Sequence, residues 1–395
     1  MTELQGIFLV LAVLYGWECL CWLRRGNLAL RSWRGTKWKL LHPGSLAGNH
    51  SGGVVWGHPV PPLGTLLCAG QSPLSISAAG AFAYVATNLH PAWRPAQSEC
   101  FIRFEAIKEV AAAQSKLLVN GALLVRCASP HQAAMLARRL RELAKLPENQ
   151  RAGVIRKALG GSFDTEAIRQ RLEEFRQVSQ PVRKLANALF LYVFVVCPLL
   201  FWQVGLRNCW LPVAVVLLGF TVTTAIYLRR AHRALYPLAE DERFTVFLTA
   251  LLSPPSAMRA VDALSRPLLQ AFHPLAVAQV LCSPAQFRAF AQVVVRDTHH
   301  PAHPVCPVDN EAARATEAGH RAALRETMDE FLNTHGLAVA ELLKPPAPAD
   351  ASCRQYCPRC LAQFTESAAD CADCGGLALE PLETRPAAAS AIRSG

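Results

Sequence analysis

Acidic residues are missing from a long stretch of this chain. None occurs between Glu18 and Glu99, although Arg24, Arg25, Arg31, Arg34, Lys37 and Lys39 all fall there. Charge of either sign is scarce at 17% of residues, while 52% are hydrophobic. A soluble domain carries about 25% charged residues, so part of this chain is not built to face water. Also absent are the short motifs that bring ready-made chemistry. There is no glycine-rich phosphate loop, no His-Glu-x-x-His, no Gly-x-Ser-x-Gly elbow and no kinase signature. These absences lower the expectation of an enzyme, and no residue is nominated as catalytic.

Fourteen cysteines would suit a disulfide framework. They are not placed as one. Cys19, Cys21 and Cys197 lie in hydrophobic runs, Cys209 borders one, four cluster near the C-terminus and the rest stand singly. That pattern predicts a reducing compartment. The excess of Arg over Lys and the abundance of Ala suggest a GC-rich bacterial genome.

Three apolar runs organise the chain. Leu4 to Leu23 has no basic segment before it and no small-residue cleavage site, and Arg24-Arg25 follows at once. It reads as an uncleaved signal anchor spanning 4–23. Glu18 within it reads as an interfacial residue near those arginines. The second and third runs, 185–206 and 209–228, are each long enough to cross a bilayer at ~1.5 Å per residue. Arg207 and Asn208 separate them, which predicts a helical hairpin. Neither run has the polar face of a soluble core hairpin.

Positive charge orients these runs. Arg183 and Lys184 precede the second, and Arg229, Arg230 and Arg233 follow the third. The positive-inside rule places 24–184 and 229–395 in the cytoplasm, with the N-terminus and the Arg207 turn outside. The net charge of +11 is then juxtamembrane charge rather than a nucleic-acid surface. The expected fold class is a multi-pass α-helical membrane protein with three spans. It carries a small cytoplasmic α+β domain (β-sheet plus C-terminal helix), a helical cytoplasmic domain and a C-terminal zinc ribbon.

Residues 24–61 read as a basic juxtamembrane loop, rich in Gly, Pro and His from 40 onward. Strand-like runs follow at Thr65–Cys68, Leu74–Ser77, Phe82–Thr87, Cys100–Phe104, Lys116–Val119 and Ala122–Cys127. Asn120-Gly121 between the last two is a type I′ hairpin signal. Ser129 then opens a helix with Ala133, Leu136, Leu140 and Leu143 on one face. Antiparallel strands closed by one amphipathic helix resemble the pleckstrin-homology-like architecture over 62–146. That resemblance implies a docking module for headgroups or protein segments. A stalk helix is expected over 163–184, with Asp164 as N-cap.

After the third run, Pro254-Pro255, Pro267, Pro274 and Pro284 divide 239–343 into short helices. Phe244–Leu252, Ala257–Leu264, Leu275–Leu281 and Ala285–Val295 are expected, then a longer helix from Glu311 to Asn333 ending near Gly336. His299, His300, His303 and Cys306 invite a metal reading. Pro301 and Pro304 argue against the helix that would align them, so they read as a solvent loop. Residues 344–352 read as a proline-rich tether and 384–395 as a disordered tail.

The sharpest signal is Cys357-Pro358-Arg359-Cys360 with Cys371-Ala372-Asp373-Cys374 ten residues on. Each Cys-x-x-Cys turn aims two thiolates at one point, and four sulfur ligands suit a tetrahedral Zn2+. Tyr356, Gly375-Gly376 and Leu377-Ala378-Leu379 complete a resemblance to the zinc-ribbon family over 353–383. It implies one structural zinc held by Cys357, Cys360, Cys371 and Cys374, with Cys353 as a spare thiol. Arg354 and Arg359 are outnumbered there by Glu366, Asp370, Asp373, Glu380 and Glu383, so nucleic acid is not an expected partner. The function this favours is a bacterial inner-membrane anchored interaction or regulatory protein. Its partners are the membrane lipid bilayer and an unidentified protein. The alternative is a subunit of a transport or envelope-assembly complex. The spans offer it few polar residues: Asn187, Tyr192, Gln203, Thr221, Thr223 and Thr224.

Overall fold

A computed structural model describes residues 3–18, 22–24, 28–33, 37–40, 54–56, 64–69, 72–83, 101–127, 129–300, 310–365, 368–374 and 376–382. The chain opens with α1 (Glu3–Glu18), a 16-residue helix. At ~1.5 Å per residue it is shorter than the ~20 residues that span a bilayer core. The expected 4–23 span is thus cut short. Glu18 is its last helical residue, and Trp22–Arg24 is a strand, β1, paired with β4 (Val54–Trp56).

The expected loop at 24–61 also holds β2 (Leu28–Trp33) and β3 (Lys37–Leu40). These join β5 (Gly64–Ala69) in an antiparallel sheet of order β3-β2-β5, with Leu30 opposite Leu67. Leu28, Leu30, Leu67 and Ala69 are fully buried, in the same core as the long helices. So β5, expected within the 62–146 unit, packs elsewhere. The strands were not expected because interspersed Arg and Lys made 24–40 read as a basic juxtamembrane loop.

A second core starts at Leu74. Its strands are β6 (Leu74–Ile76), β7 (Gly80–Ala83), β8 (Phe101–Arg103), β9 (Val110–Ala113), β10 (Lys116–Val119) and β11 (Ala122–Arg126). They form two antiparallel sheets, β6-β7-β8 and β9-β10-β11. Asn120 and Gly121 turn β10 into β11 with φ of 51° and 80°. The Asn120 amide also accepts from the Lys108 and Glu109 N–H groups and donates to the Ala106 carbonyl. At Gly80 a side chain has no room, since a Cβ would sit 2.3 Å from the Ile102 carbonyl oxygen. Residues 84–87 and Cys100, at the ends of two expected strands, lie outside the described residues.

The Ser129 hydroxyl caps α2 (Pro130–Ala144), which lays Ala133, Leu136, Ala137, Leu140 and Leu143 into the second core. Next comes α3 (Glu148–Ser162), a helix the sequence pattern does not announce. Gly153, Gly160 and Gly161 weaken it, and its apolar residues lack helical period. Buried Arg151 ties it down. Its guanidinium donates to the carbonyls of Leu143, Leu146 and Ala78 and pairs with Glu105.

Asp164 caps α4 (Thr165–Leu191) through the Glu166 and Ala167 N–H groups. A π-helical turn at Tyr192–Val196 leads into α5 (Cys197–Val204), where Pro198 lacks the N–H that a regular α-helical ladder would need. The stalk and the second run are therefore one helix, Thr165–Val204, 40 residues long. Gly205 alone, at φ 83°, separates it from α6 (Leu206–Leu235). Arg207 and Asn208, expected as the turn, lie in the first turn of α6. The bend falls on Gly205 because only glycine adopts that backbone readily. Both helices are long and apolar enough to cross a membrane. Only 22% and 28% of their most apolar windows is buried, unlike the core helices of a soluble protein.

The remaining helices are α7 (Glu240–Leu252), α8 (Pro254–Met258), α9 (Ala260–Ser265), α10 (Pro274–Leu281), α11 (Pro284–His299), α12 (Glu311–Thr334) and α13 (Val339–Leu342). Prolines stand in the first turns of α8, α10 and α11, as the sequence suggests. Gly336 follows α12 at φ 73°. These helices share one core with α4, the C-terminal part of α6 and the β2–β5 pair.

Candidate metal centre

Five two-residue strands build the tail: β12 (Gln355–Tyr356), β13 (Gln363–Phe364), β14 (Asp370–Cys371), β15 (Leu377–Ala378) and β16 (Glu380–Pro381). β12 pairs with β13 and with β16, and β14 pairs with β15. Each hairpin carries one Cys-x-x-Cys turn. The two are closed by matching backbone bonds, Leu361 N–H to the Cys357 carbonyl and Gly376 N–H to the Cys371 carbonyl. Leu361 sits at φ 62° and Gly376 at φ 79°, the left-handed bend that turns the chain back after the second cysteine of each pair. Leu377-Ala378 belongs to the second hairpin. The strand that closes onto β12 is Glu380–Pro381, where the Tyr356 hydroxyl donates to the Glu380 carboxylate at 2.6 Å.

The turns bring all four expected ligands together. The Sγ atoms of Cys357, Cys360, Cys371 and Cys374 lie within 4.8 Å of one another. Cys360 and Cys371 sulfurs are 3.8 Å apart, far beyond a disulfide bond. A tetrahedral site with metal–sulfur bonds of ~2.3 Å has sulfur–sulfur edges of about 3.8 Å. The geometry thus fits four thiolates around one ion. Cys357, Cys371 and Cys374 are buried and Cys360 is exposed. Cys353 is not a member. It packs with Tyr356 and Leu382 in a separate small cluster.

Burial opposes ionisation of Cys360 and Cys374, pushing Cys360 up to about 11 and Cys374 higher still. At Cys357 burial acts the same way, but hydrogen bonds from the backbone N–H groups of Cys360 and Arg359 and from the Cys360 and Cys374 thiols together outweigh it and hold that thiol below its ordinary value. Four converging sulfurs with one favoured anion is a donor set that a divalent cation completes.

The ribbon, expected on a proline-rich tether, also makes contacts with that linker and with the helical region. Gln363 clips the linker by accepting from Ala349 N–H at 2.8 Å and donating to the Ala347 carbonyl at 2.9 Å. Arg359, inside the first metal turn, forms an ion pair with Asp297 on α11. Nothing in the local sequence marks that contact.

The second histidine-rich candidate does not assemble among the described residues. His299 is in the last turn of α11, 3.4 Å from Asp329 on α12, and His300 caps the helix. Both were expected in a solvent loop; α11 instead runs through His299, with His300 as its C-cap. His303 and Cys306 lie outside the described residues, as do Glu366, Gly375 and the tail from 383.

A cavity of about 410 Å³ opens between α2, α3 and α12. Leu136, Ile155, Leu159 and Leu324 give it an apolar wall, and Gln132, Arg139 and His320 add polar groups. Burial holds the His320 imidazole below its ordinary range, so it faces that space uncharged at neutral pH. Its size falls within the range of small-ligand pockets. No family model, curated protein or solved structure matches the chain.

Proposed function

We propose that this is a bacterial inner-membrane anchored interaction protein whose cytoplasmic modules hold a protein partner, stiffened by a ribbon with one structural zinc. The observation that carries this reading is the cysteine cluster. Four thiolates gathered within 4.8 Å of one another would fill a tetrahedral ion's coordination and leave no open position for water or substrate, so the ion would brace the fold without doing chemistry. All-sulfur tetrahedral coordination favours zinc over the harder ions. The ribbon's contact with α11 supports the same role, because metal binding then steadies the helical region as well.

The membrane arrangement proposed is three helices, N-terminus out and C-terminus in. Phe8 stacks near Phe201 at 6.2 Å, and Tyr15 meets Phe190 and Phe194 at 5.5 Å. α1 therefore runs antiparallel to the α4–α5 helix, with its start beside the Gly205 turn. Leu9, Val10, Val13, Leu14 and Trp17 on α1 are exposed, an apolar belt continuous with that of the hairpin. A helix this short is accommodated by local thinning of the bilayer. The strands closed by α2 supply the docking module, on the resemblance of 62–146 to pleckstrin-homology-like domains.

Reporter fusions after Arg233 and at Gly395 should both read as cytoplasmic, and one at the Gly205 turn as periplasmic. A periplasmic signal at Gly395 refutes the arrangement. Partners captured from native membranes by the intact chain should be lost with Cys371→Ser. A turnover activity that survives removal of the ribbon would move the function to the membrane helices.

A further inference from the structure

From Phe244 to Met258 the chain carries no charged residue, and Arg243 and Arg259 bracket the segment. It comprises most of α7, the Ser253 turn and α8. α7 folds back along α6 towards the Gly205 end. Glu242 lies 3.5 Å from His232, and Phe247 lies beneath the Arg229 guanidinium, 5.7 Å from it. Five residues beyond Phe247, at ~1.5 Å each, Leu252 is about 8 Å deeper than the arginines that mark the cytoplasmic boundary.

α7 is apolar on both sides. Val246, Phe247, Ala250 and Leu251 pack into the core, while Phe244, Leu248 and Leu252 form an outward stripe that is 63%, 37% and 72% exposed. An amphipathic surface helix would have a polar outer face. α8 then lies against α1 and α4, two of the helices assigned to the membrane. The polar atoms of the bend are satisfied internally. Thr249 Oγ1 donates to the Thr245 carbonyl, Ser253 N–H to the Thr249 carbonyl, and the Ser253 hydroxyl accepts from Ser256 N–H. That satisfaction is what a hydrocarbon environment requires of a bend. The chain leaves the segment through Arg259, which is buried against Asp262.

We infer that residues 244–258 form a half-loop embedded in the cytoplasmic leaflet, with Phe244, Leu248 and Leu252 against lipid acyl chains. The inference rests on the membrane reading above and adds a fourth, non-spanning insertion to it. The depth matches the ~5–10 Å to which interfacial helices bury their apolar face. The stripe also continues the exposed apolar surface of Ile226 and Tyr227 on neighbouring α6.

The test uses the full chain in vesicles of phosphatidylethanolamine and phosphatidylglycerol. The photo-crosslinker p-benzoylphenylalanine is placed singly at Phe244, Leu248 and Leu252. Val215 in mid-α6 and Glu326 on α12 serve as lipid and solvent references. All are exposed positions that tolerate a larger side chain. Lipid adducts at Leu248 and Leu252 should match those at Val215 and exceed those at Glu326 many-fold. Adducts at the Glu326 level, with Val215 still labelled, would overturn the half-loop and leave the spans standing. Adducts to another polypeptide would overturn it by making this face a protein contact. Failure at Val215 as well would defeat the membrane reading and the half-loop with it.

Discussion

Arg359 of the first metal turn and Asp297 of α11 form an ion pair in which the side chains are only 9% and 22% exposed. A residue between two of the candidate ligands is therefore also one that fastens the ribbon to the helical region. Metal binding at this cluster would therefore be mechanically linked to docking, since the turn that aims Cys357 and Cys360 also aims the guanidinium.

Breaking that pair should release the ribbon without emptying it. Asp297→Ala should cost about 2 kcal/mol, the range for a hydrogen bond to a charged group, and leave metal content unchanged. Hydrogen exchange in α11 and protease cleavage in 344–352 should both rise. Equal protection in the variant and the parent would show that the pair does not hold the ribbon.

Metal content should be one zinc per chain by elemental analysis. Structural zinc contributes about 10–16 kcal/mol in small domains, more than a ribbon of two-residue strands can replace. Chelation or Cys371→Ser should therefore abolish exchange protection over 353–382. Cys353→Ser should keep the zinc, because Cys353 packs outside the cluster. Zinc lost from the Cys353 variant would assign the ligands wrongly.

Gly205 should resist substitution for a backbone reason alone. It holds φ 83° and ψ 147°, and a Cβ there would meet nothing within 4 Å. Gly205→Ala should thus destabilise by about 1–3 kcal/mol through strain, not collision. The thermal midpoint of the detergent-solubilised chain measures it, and an unchanged midpoint contradicts the one-residue turn.

Acid should weaken the helical region. His273 is buried, stacks on Phe163 at 4.4 Å and accepts from Leu275 N–H; burial holds it down at about 3. Burial, with Arg171 adding to it, holds His131 at about 4. Both are therefore neutral when folded, while the unfolded chain takes up their protons near the ordinary value of 6.5. Stability is then fully present above that value and lost as pH falls, by about 1.4 kcal/mol per unit for each histidine, down to the folded values. His273→Asn keeps a capping side chain without the titration. Its midpoint should fall less steeply between pH 6 and 4.5, and an unaltered slope would remove His273 from the account.

Much of the site was legible before the fold. The two Cys-x-x-Cys turns, the Asn120-Gly121 hairpin, the Asp164 and Ser129 caps and the apolar lengths of the two long helices are local features. Each is set by residues within one turn or one short run, where spacing and side-chain chemistry act directly. The strands between 22 and 56 and helix α3 were hidden because their local pattern is weak. Pairing with β5 and β4 creates the former, and the hydrogen bonds of Arg151 secure the latter.

By itself the sequence determined which four sulfurs share a site, where the Ser129 and Asp164 caps start their helices, and which runs are apolar enough to form the two long helices. The tertiary structure alone decided that α1 lies antiparallel to its neighbour, that α7 folds back along α6, and that the ribbon is held to α11. Arg359 and Asp297 are separated by 62 positions. A contact at such a distance follows from the whole chain packing at once, when burial strengthens a charge pair that neither local segment specifies.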